Sequence, residues 1–176
     1  MKNGINRVIR EGAEKESRRG AIKTVPKKID GLCSLDRNET TYFLDSTTLV
    51  HAVDRSAKYH EECLGVINKA AKGEINAATS LETLEETLFI LSKPTSPSTA
   101  IRVIHDYLKM TKIKKYEMKL ATFEYTLEIM EITPLKRPKD AINVATMLEH
   151  NIPKIVSEDE EYEKVNLIQR VHPKDL

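Results

Sequence analysis

The chain has 176 residues, 40% of them hydrophobic and 31% charged, and a formal net charge of +1. That length and composition suit one soluble globular domain with an appendage. A run of about 18 apolar residues, which a membrane span needs, is missing. The charged N-terminus also lacks the apolar core of a secretion signal, so we expect a cytoplasmic protein.

Charge is unevenly distributed along the chain. Residues 1–30 contain nine basic and four acidic residues, a net charge of +5, and the remaining residues carry −4. We therefore predict a basic N-terminal extension over residues 1–38 and a globular domain over residues 39–176. The extension could bind polyanions through counterion release, or it could be a solvated, partly helical or disordered arm.

Cysteine and histidine residues give no sign of a metal site in the sequence. Cys33 and Cys63 are too few for a ligand cluster, and we interpret them as free thiols in a reducing cytoplasm. We expect structural or exposed roles for the histidines, which lack paired metal-ligand spacing: His51, His60, His105, His150 and His172. The chain also lacks a Walker phosphate loop and a glycine-rich dinucleotide motif.

The domain begins with a predicted strand at Thr41–Leu44, a short apolar run bounded by polar residues. Asp45 ends this strand, and residues 46–48 can cap a following helix. Helical spacing of apolar residues predicts a second helix, which Gly73 stops. A second strand is predicted at Ile75–Ala78.

The middle of the domain is predicted to be mostly helical. Thr79 and Glu82 have the spacing of a capping box that begins a third helix, and the proline-containing stretch Ser92–Ser98 is a predicted loop. Two further helices flank a weak third strand at Lys112–Tyr116. Their apolar rows are Ile101, Ile104 and Leu108 in the first helix, and Leu120, Phe123, Leu127 and Met130 in the second.

Pro138 opens the last predicted helix, and strands are predicted at Lys154–Val156 and Leu167–Val171. Strands that alternate with helices in this way are typical of a parallel sheet with helices on both faces. We therefore predict an α/β fold with three layers, α/β/α, around a central parallel sheet of four to five strands. Ligands of such doubly wound sheets bind at the carboxyl ends of the strands.

Four acidic residues fall near these predicted strand ends. Asp45 ends the first strand, Asp159 follows the fourth, Asp140 begins the last helix and Glu86 lies on the helix after the second strand. The topology allows all four to face one cleft. Each also has an ordinary explanation, since Asp45 could cap a helix, Asp140 could serve a helix dipole and the other two could be solvated.

Four segments of the chain resemble motifs of the PIN-domain nucleases, most closely the VapC-type toxins of prokaryotic toxin–antitoxin pairs. The family's first metal-binding aspartate is matched by Asp45 in YFLDSTTLVHAV. Its second acid, six positions after a Ser, is matched by Glu86 after Ser80 in TSLETLEETLFIL. The third motif is matched by Asp140 in RPKDAINVATMLEHNIPKIVS.

The fourth motif is matched by SEDEEY, with Ser157, Asp159 and Tyr162, where Phe is commoner than Tyr. The resemblance covers about residues 41–173, and the extension before it is not part of the usual compact toxin. It implies a PIN-like fold and metal-dependent hydrolysis of phosphodiester bonds, usually in RNA.

Crowded carboxylates repel one another unless a cation is present, and Mg²⁺ and Mn²⁺ prefer oxygen ligands. We predict Asp45 and Asp140 as the main metal ligands. Glu86 and Asp159 could bind through water, position the nucleophile or hold a second ion. Two hydroxyl side chains could support the site, or serve only as turn and cap residues: Ser157 and Thr47.

RNA is the expected substrate, and the basic residues Lys136, Arg137 and Lys139 could contact its phosphates or simply be solvated. A VapC-type toxin would also bind an antitoxin protein across its cleft and often form a homodimer. Two alternatives stay open, a non-catalytic PIN-like module that binds RNA or protein, and a phosphatase on a related α/β scaffold. Haloacid dehalogenase-like phosphatases, however, need a second Asp where this chain has Thr47.

Overall fold

A computed structural model describes residues 40–176, so the predicted basic extension and Cys33 lie outside the described residues. Two short 3-10 helices, Glu160–Lys164 and Pro173–Asp175, follow the last two strands. The remaining elements, in chain order, are β1 (Thr41–Leu44), α1 (Ser46–His51), α2 (His60–Lys72), β2 (Asn76–Ser80), α3 (Leu81–Leu91), α4 (Pro97–Lys109), β3 (Ile113–Tyr116), α5 (Leu120–Ile132), α6 (Pro138–Glu149), β4 (Lys154–Val156) and β5 (Gln169–Val171).

The five strands form one parallel sheet in the order β3-β2-β1-β4-β5. The central strand β1 is buried on both faces. Phe43 packs in a core cluster with residues of α5 and α6, and Leu44 packs in a second cluster with residues of α1, α2, α3 and α4. The predicted three-layer α/β/α fold around a parallel sheet is therefore confirmed.

The second strand differs from its prediction, because it begins at Asn76 and continues through two polar residues to Ser80. Thr79 does not cap a helix: it pairs with β3, and its hydroxyl donates to the Leu44 carbonyl at 3.0 Å. Ser80 caps α3 instead and accepts a hydrogen bond from the Thr83 backbone N–H at 3.1 Å. The predicted capping box of Thr79 and Glu82 is therefore wrong.

The apolar rows of α4 and α5 correctly predicted where these helices lie in the sequence. They did not predict which residues of the helices are buried. On α5 the buried residues are Thr122, Thr126 and Ile129, and the threonine hydroxyls are satisfied by hydrogen bonds. This face packs against α6. The apolar side chains left exposed on the two helices are Ile101, Leu108, Leu120, Phe123 and Leu127. Among the described residues, no helix is long and apolar enough to cross a membrane.

The glycines of α2 provide a matched pair of substitutions. Gly73 ends the helix with φ at 78°, in the left-handed region that other residues adopt at a cost. Gly65 lies inside the helix, and an added Cβ would meet no atom within 4 Å. We expect Gly73→Ala to lower the free energy of unfolding by about 1 kcal/mol and Gly65→Ala to raise it by about 0.5 kcal/mol. Urea denaturation measures both, and a Gly73→Ala protein as stable as Gly65→Ala would contradict the assigned helix end.

Candidate acidic site

The site lies where three neighbouring parallel strands end. Asp45 follows β1, and its backbone N–H donates to the carbonyl of Val156, the last residue of β4, at 3.2 Å. This register places Ser157 beside Asp45. The helix that carries Glu86 follows β2, the other neighbour of β1. Asp140 enters from the first turn of α6.

Asp45 is 4% exposed and is the most enclosed of the four predicted acids. It occupies the N-cap position of α1, but its side chain makes no capping hydrogen bond. Instead its Oδ2 accepts hydrogen bonds from Ser157 Oγ at 2.7 Å and Thr47 Oγ1 at 2.9 Å. Its Oδ1 accepts from Asn143 Nδ2 at 3.2 Å. The structure thus places both predicted supporting hydroxyls on this carboxylate.

Asn143 and Tyr162 connect Asp45 to Asp140. The Tyr162 hydroxyl lies 3.5 Å from Asp45 Oδ1 and 3.4 Å from Asp140 Oδ1, and it accepts from Asn143 Nδ2 at 3.0 Å. Asn143 also accepts from Thr83 Oγ1 at 3.0 Å, which links it to the start of α3. Sequence reasoning missed Asn143, although its spacing of three from Asp140 places both on one helix face.

Arg137 pairs with two of the acids. Its Nε donates to Asp140 Oδ2 at 2.7 Å, and its Nη2 donates to Asp159 Oδ2. Asp159 Oδ1 in turn accepts the Glu161 backbone N–H at 2.9 Å, which caps the 3-10 helix. The residue predicted as a phosphate contact is therefore also the cation that holds two carboxylates together.

The three glutamates of α3 differ in their exposure and in their contacts. Glu86 is one-quarter exposed, and Lys139 Nζ lies 3.7 Å from its Oε1. Glu85 is two-thirds exposed and pairs with the same lysine at 3.2 Å. Glu82 turns toward the backbone N–H of Met118. The charge of Glu86 acts on Asp45.

Burial raises the pKa of Asp45, and the charge of Glu86 raises it further, while hydrogen bonds from Ser157 and Thr47 lower it. Burial also raises the pKa of Asp140 to about 6, against the lowering effect of Arg137. Within residues 40–176, no basic side chain forms an ion pair with Asp45. A set of oxygen ligands whose negative charge is only partly compensated, by Arg137 and Lys139, fits a hard divalent cation such as Mg²⁺ or Mn²⁺.

A cleft of about 440 Å³ opens beside Asp140. Three of its lining residues are basic and two are acidic, so the cleft combines carboxylates with positive charge. This arrangement suits a polyanionic ligand. The lining residues are Pro134, Lys136, Arg137, Asp140, Glu161 and Lys164.

A family model described as "PIN domain" matches residues 42–167. The chain belongs to the PIN-domain family. This family is one of nucleases. The family resemblance inferred from the four motifs is therefore confirmed. No curated protein sequence matches the chain.

Solved structures share the PIN fold with this chain. The VapC20 toxin of Mycobacterium tuberculosis, described as cleaving the sarcin-ricin loop, has a TM-score of 0.63 and 14% identity over 73% of this chain and 97% of its own. DNA-bound VapBC of Salmonella typhimurium has a TM-score of 0.59 and 16% identity over 76% and 98%. VapBC2 of Rickettsia felis, bound to a promoter DNA fragment, has a TM-score of 0.59 and 13% identity over 76% and 98%.

The raised pKa of Asp140 predicts how its replacement changes stability in this PIN domain. Because the folded-state pKa is about 6 and the ordinary value is 3.8, the folded protein binds more protons between these values. Its stability without metal therefore falls as the pH rises from about 4 to about 6. We expect Asp140→Asn to raise the free energy of unfolding at pH 7 by up to about 3 kcal/mol, because the amide is neutral.

Denaturant unfolding in EDTA, of wild type and Asp140→Asn at pH 7 and pH 4.5, measures this effect. The advantage of the variant should shrink at the lower pH. A variant that is less stable than the wild type at pH 7 would contradict a raised pKa of Asp140.

Proposed function

We propose that this PIN-domain protein is a metal-dependent endoribonuclease that hydrolyses RNA phosphodiester bonds, and that it acts as a VapC-type toxin. The observation that carries the proposal is the cluster of carboxylates at the carboxyl edge of the sheet. Asp45 and Asp140 each have a carboxylate oxygen within 3.5 Å of the Tyr162 hydroxyl, and both have raised pKa values. Such crowded negative charge is stable when a cation binds it.

Asp45 and Asp140 would hold Mg²⁺ or Mn²⁺, and Glu86 and Asp159 would bind the ion through water, position the nucleophile or hold a second ion. The chemistry that such an ion would supply is activation of water for attack on phosphorus and stabilisation of the oxygen that leaves. Hydrogen bonds from the protein already hold the carboxylates of Asp45 and Asp140 in place. Supporting hydrogen bonds of this kind orient metal ligands in many proteins, and here they come from Thr47, Asn143, Ser157 and Tyr162.

The basic side chains around the acids would bind the RNA backbone. Arg137, Lys136 and Lys164 line the cleft beside Asp140, and an arginine can bind a phosphate through two parallel hydrogen bonds. Positive charge at the mouth of an acidic site reduces its repulsion of a polyanion. The extension over residues 1–38 would add further positive charge outside the nuclease domain, which we place at residues 39–176.

We also propose an antitoxin protein as partner, a homodimer and a cytoplasmic location. Two of the solved structures with this fold are VapBC complexes bound to DNA. Exposed apolar side chains on α5, Leu120, Phe123 and Leu127, offer a surface for a protein partner. The phosphatase alternative has no support at its required position, because Thr47 donates a hydrogen bond to Asp45 and supplies no second carboxylate.

RNA cleavage by purified protein with Mg²⁺ or Mn²⁺ tests the proposal. We expect Asp45→Asn and Asp140→Asn to reduce the rate by about 100-fold or more, because each removes a charge that the metal and transition state require. Glu86→Gln should also reduce it. Glu85→Gln is the matched control, since this exposed neighbour lies on the same helix, and it should cleave at nearly the wild-type rate.

Circular dichroism would first show that each variant is folded. Equal cleavage by wild type, Asp45→Asn and Asp140→Asn would contradict the assigned site. RNA binding without cleavage at any concentration of either metal would favour the non-catalytic module.

A further inference from the structure

A second group of side chains that can bind a metal includes Glu158, which lies between Ser157 and Asp159 in the sequence. His51 ends α1 and Cys63 lies near the start of α2. The sequence spacing of these residues gave no reason to connect them. In the structure, one ligand atom from each of His51, Cys63 and Glu158 lies within 4.8 Å of the other two.

The contacts within this group are direct. Cys63 Sγ donates to Glu158 Oε1 at 3.6 Å, and His51 Nδ1 forms a hydrogen bond with the same oxygen. Cys63 is fully buried, while the side chains of His51 and Glu158 are 29% and 15% exposed. The group is therefore enclosed on the thiol side and reached by solvent on the imidazole side.

We propose that His51, Cys63 and Glu158 form a binding site for Zn²⁺, distinct from the acidic site. One sulfur, one imidazole nitrogen and one carboxylate oxygen are donors that Zn²⁺ accepts, whereas Mg²⁺ binds thiolate poorly. Three protein ligands leave a fourth position for water on the solvent-exposed side. Ligand atoms around a tetrahedral Zn²⁺ lie roughly 3.3–3.7 Å apart, and the sulfur–oxygen separation of 3.6 Å already falls in that range.

Protons balance when the ion binds. Burial and the nearby Glu158 raise the pKa of the Cys63 thiol to about 12, so the metal-free side chain is a protonated thiol. On binding, the sulfur–zinc bond forms and the thiol proton leaves to solvent. His51 would bind through Nδ1 as a neutral imidazole that carries its one proton on Nε2, so the hydrogen bond between Nδ1 and Glu158 is replaced by two bonds to the ion. Oxidation states do not change.

The position of Glu158 would connect the two metal sites. Its neighbour Ser157 donates to Asp45, and its neighbour Asp159 pairs with Arg137. An ion held by α1, α2 and Glu158 would fix the backbone segment that carries both of these contacts. The zinc site stands on its own donor set, so it does not depend on the proposed ribonuclease activity.

Co²⁺ provides a spectroscopic probe for this site, because thiolate bound to Co²⁺ gives a strong charge-transfer absorption that carboxylate ligands do not give. The full-length chain, stripped of metal under reducing conditions, would be titrated with Co²⁺ in excess Mg²⁺ to saturate the acidic site. We expect one equivalent of Co²⁺ to produce the thiolate band and Zn²⁺ to abolish it by displacement.

Matched variants identify the sulfur that binds. Cys33→Ser should keep the band and Cys63→Ser should lose it, while Asp140→Asn, which alters only the acidic site, should keep it. His51→Asn and Glu158→Gln keep the buried thiol and should weaken Co²⁺ binding at least about tenfold, since loss of even an outer-shell partner costs about 10- to 100-fold in metal affinity.

Two results would overturn the proposal. One is the absence of a thiolate band in the folded wild type, and the other is a band that survives Cys63→Ser and disappears in Cys33→Ser. Should Cys63→Ser fail to fold, unchanged Co²⁺ affinity in both His51→Asn and Glu158→Gln would overturn it equally.

Discussion

A carboxylate buried at the centre of the carboxyl edge of the sheet is the constraint on which this structure depends. Asp45 has almost no contact with solvent, and its hydrogen-bond donors come from α1, α6 and the segment after β4. An isolated buried charge is costly, and hydrogen bonds offset only part of that cost. The fold thus brings three elements together around a group that favours a proton or a cation.

The neighbouring acids increase this need for a cation. Glu86 raises the pKa of Asp45, and Asp45 and Asp159 raise the pKa of Asp140. Arg137 neutralises part of the charge of Asp140 and Asp159, yet the pKa of Asp140 stays above its ordinary value. The crowded acids lower the stability of the folded protein without metal. A bound divalent ion would offset this loss of stability. Perturbed pKa values of this kind cluster at functional sites.

Much of the fold could be predicted because its central strands are short apolar runs and its helices have regular spacing. The bounds of β1 and β4 were predicted residue by residue. The end of β2 was missed because Thr79 and Ser80 look like cap residues, and only pairing with β3 shows that Thr79 belongs to the strand. Spacing also could not say which face of α5 is buried, since threonines pack against α6 while leucines stay exposed.

The four acids were predicted from motifs and strand ends, and the structure brings them to one edge of the sheet. Contacts between distant parts of the chain were beyond prediction. Asn143 and Tyr162 act between Asp45 and Asp140 only because α6 and the 3-10 helix Glu160–Lys164 converge there. His51, Cys63 and Glu158 are likewise far apart in the sequence, and only the fold brings them together.

Calorimetric titration with Mn²⁺ tests most directly whether the crowded carboxylates form a metal site. The Cys63→Ser background would keep the second group of ligands from contributing. We expect Mn²⁺ to bind the Cys63→Ser protein with the same affinity whether or not Glu85→Gln is added. When Asp45→Asn is added instead, Mn²⁺ should bind at least about tenfold more weakly. Equal Mn²⁺ affinity with and without the Asp45 carboxylate would contradict the central role given to this residue.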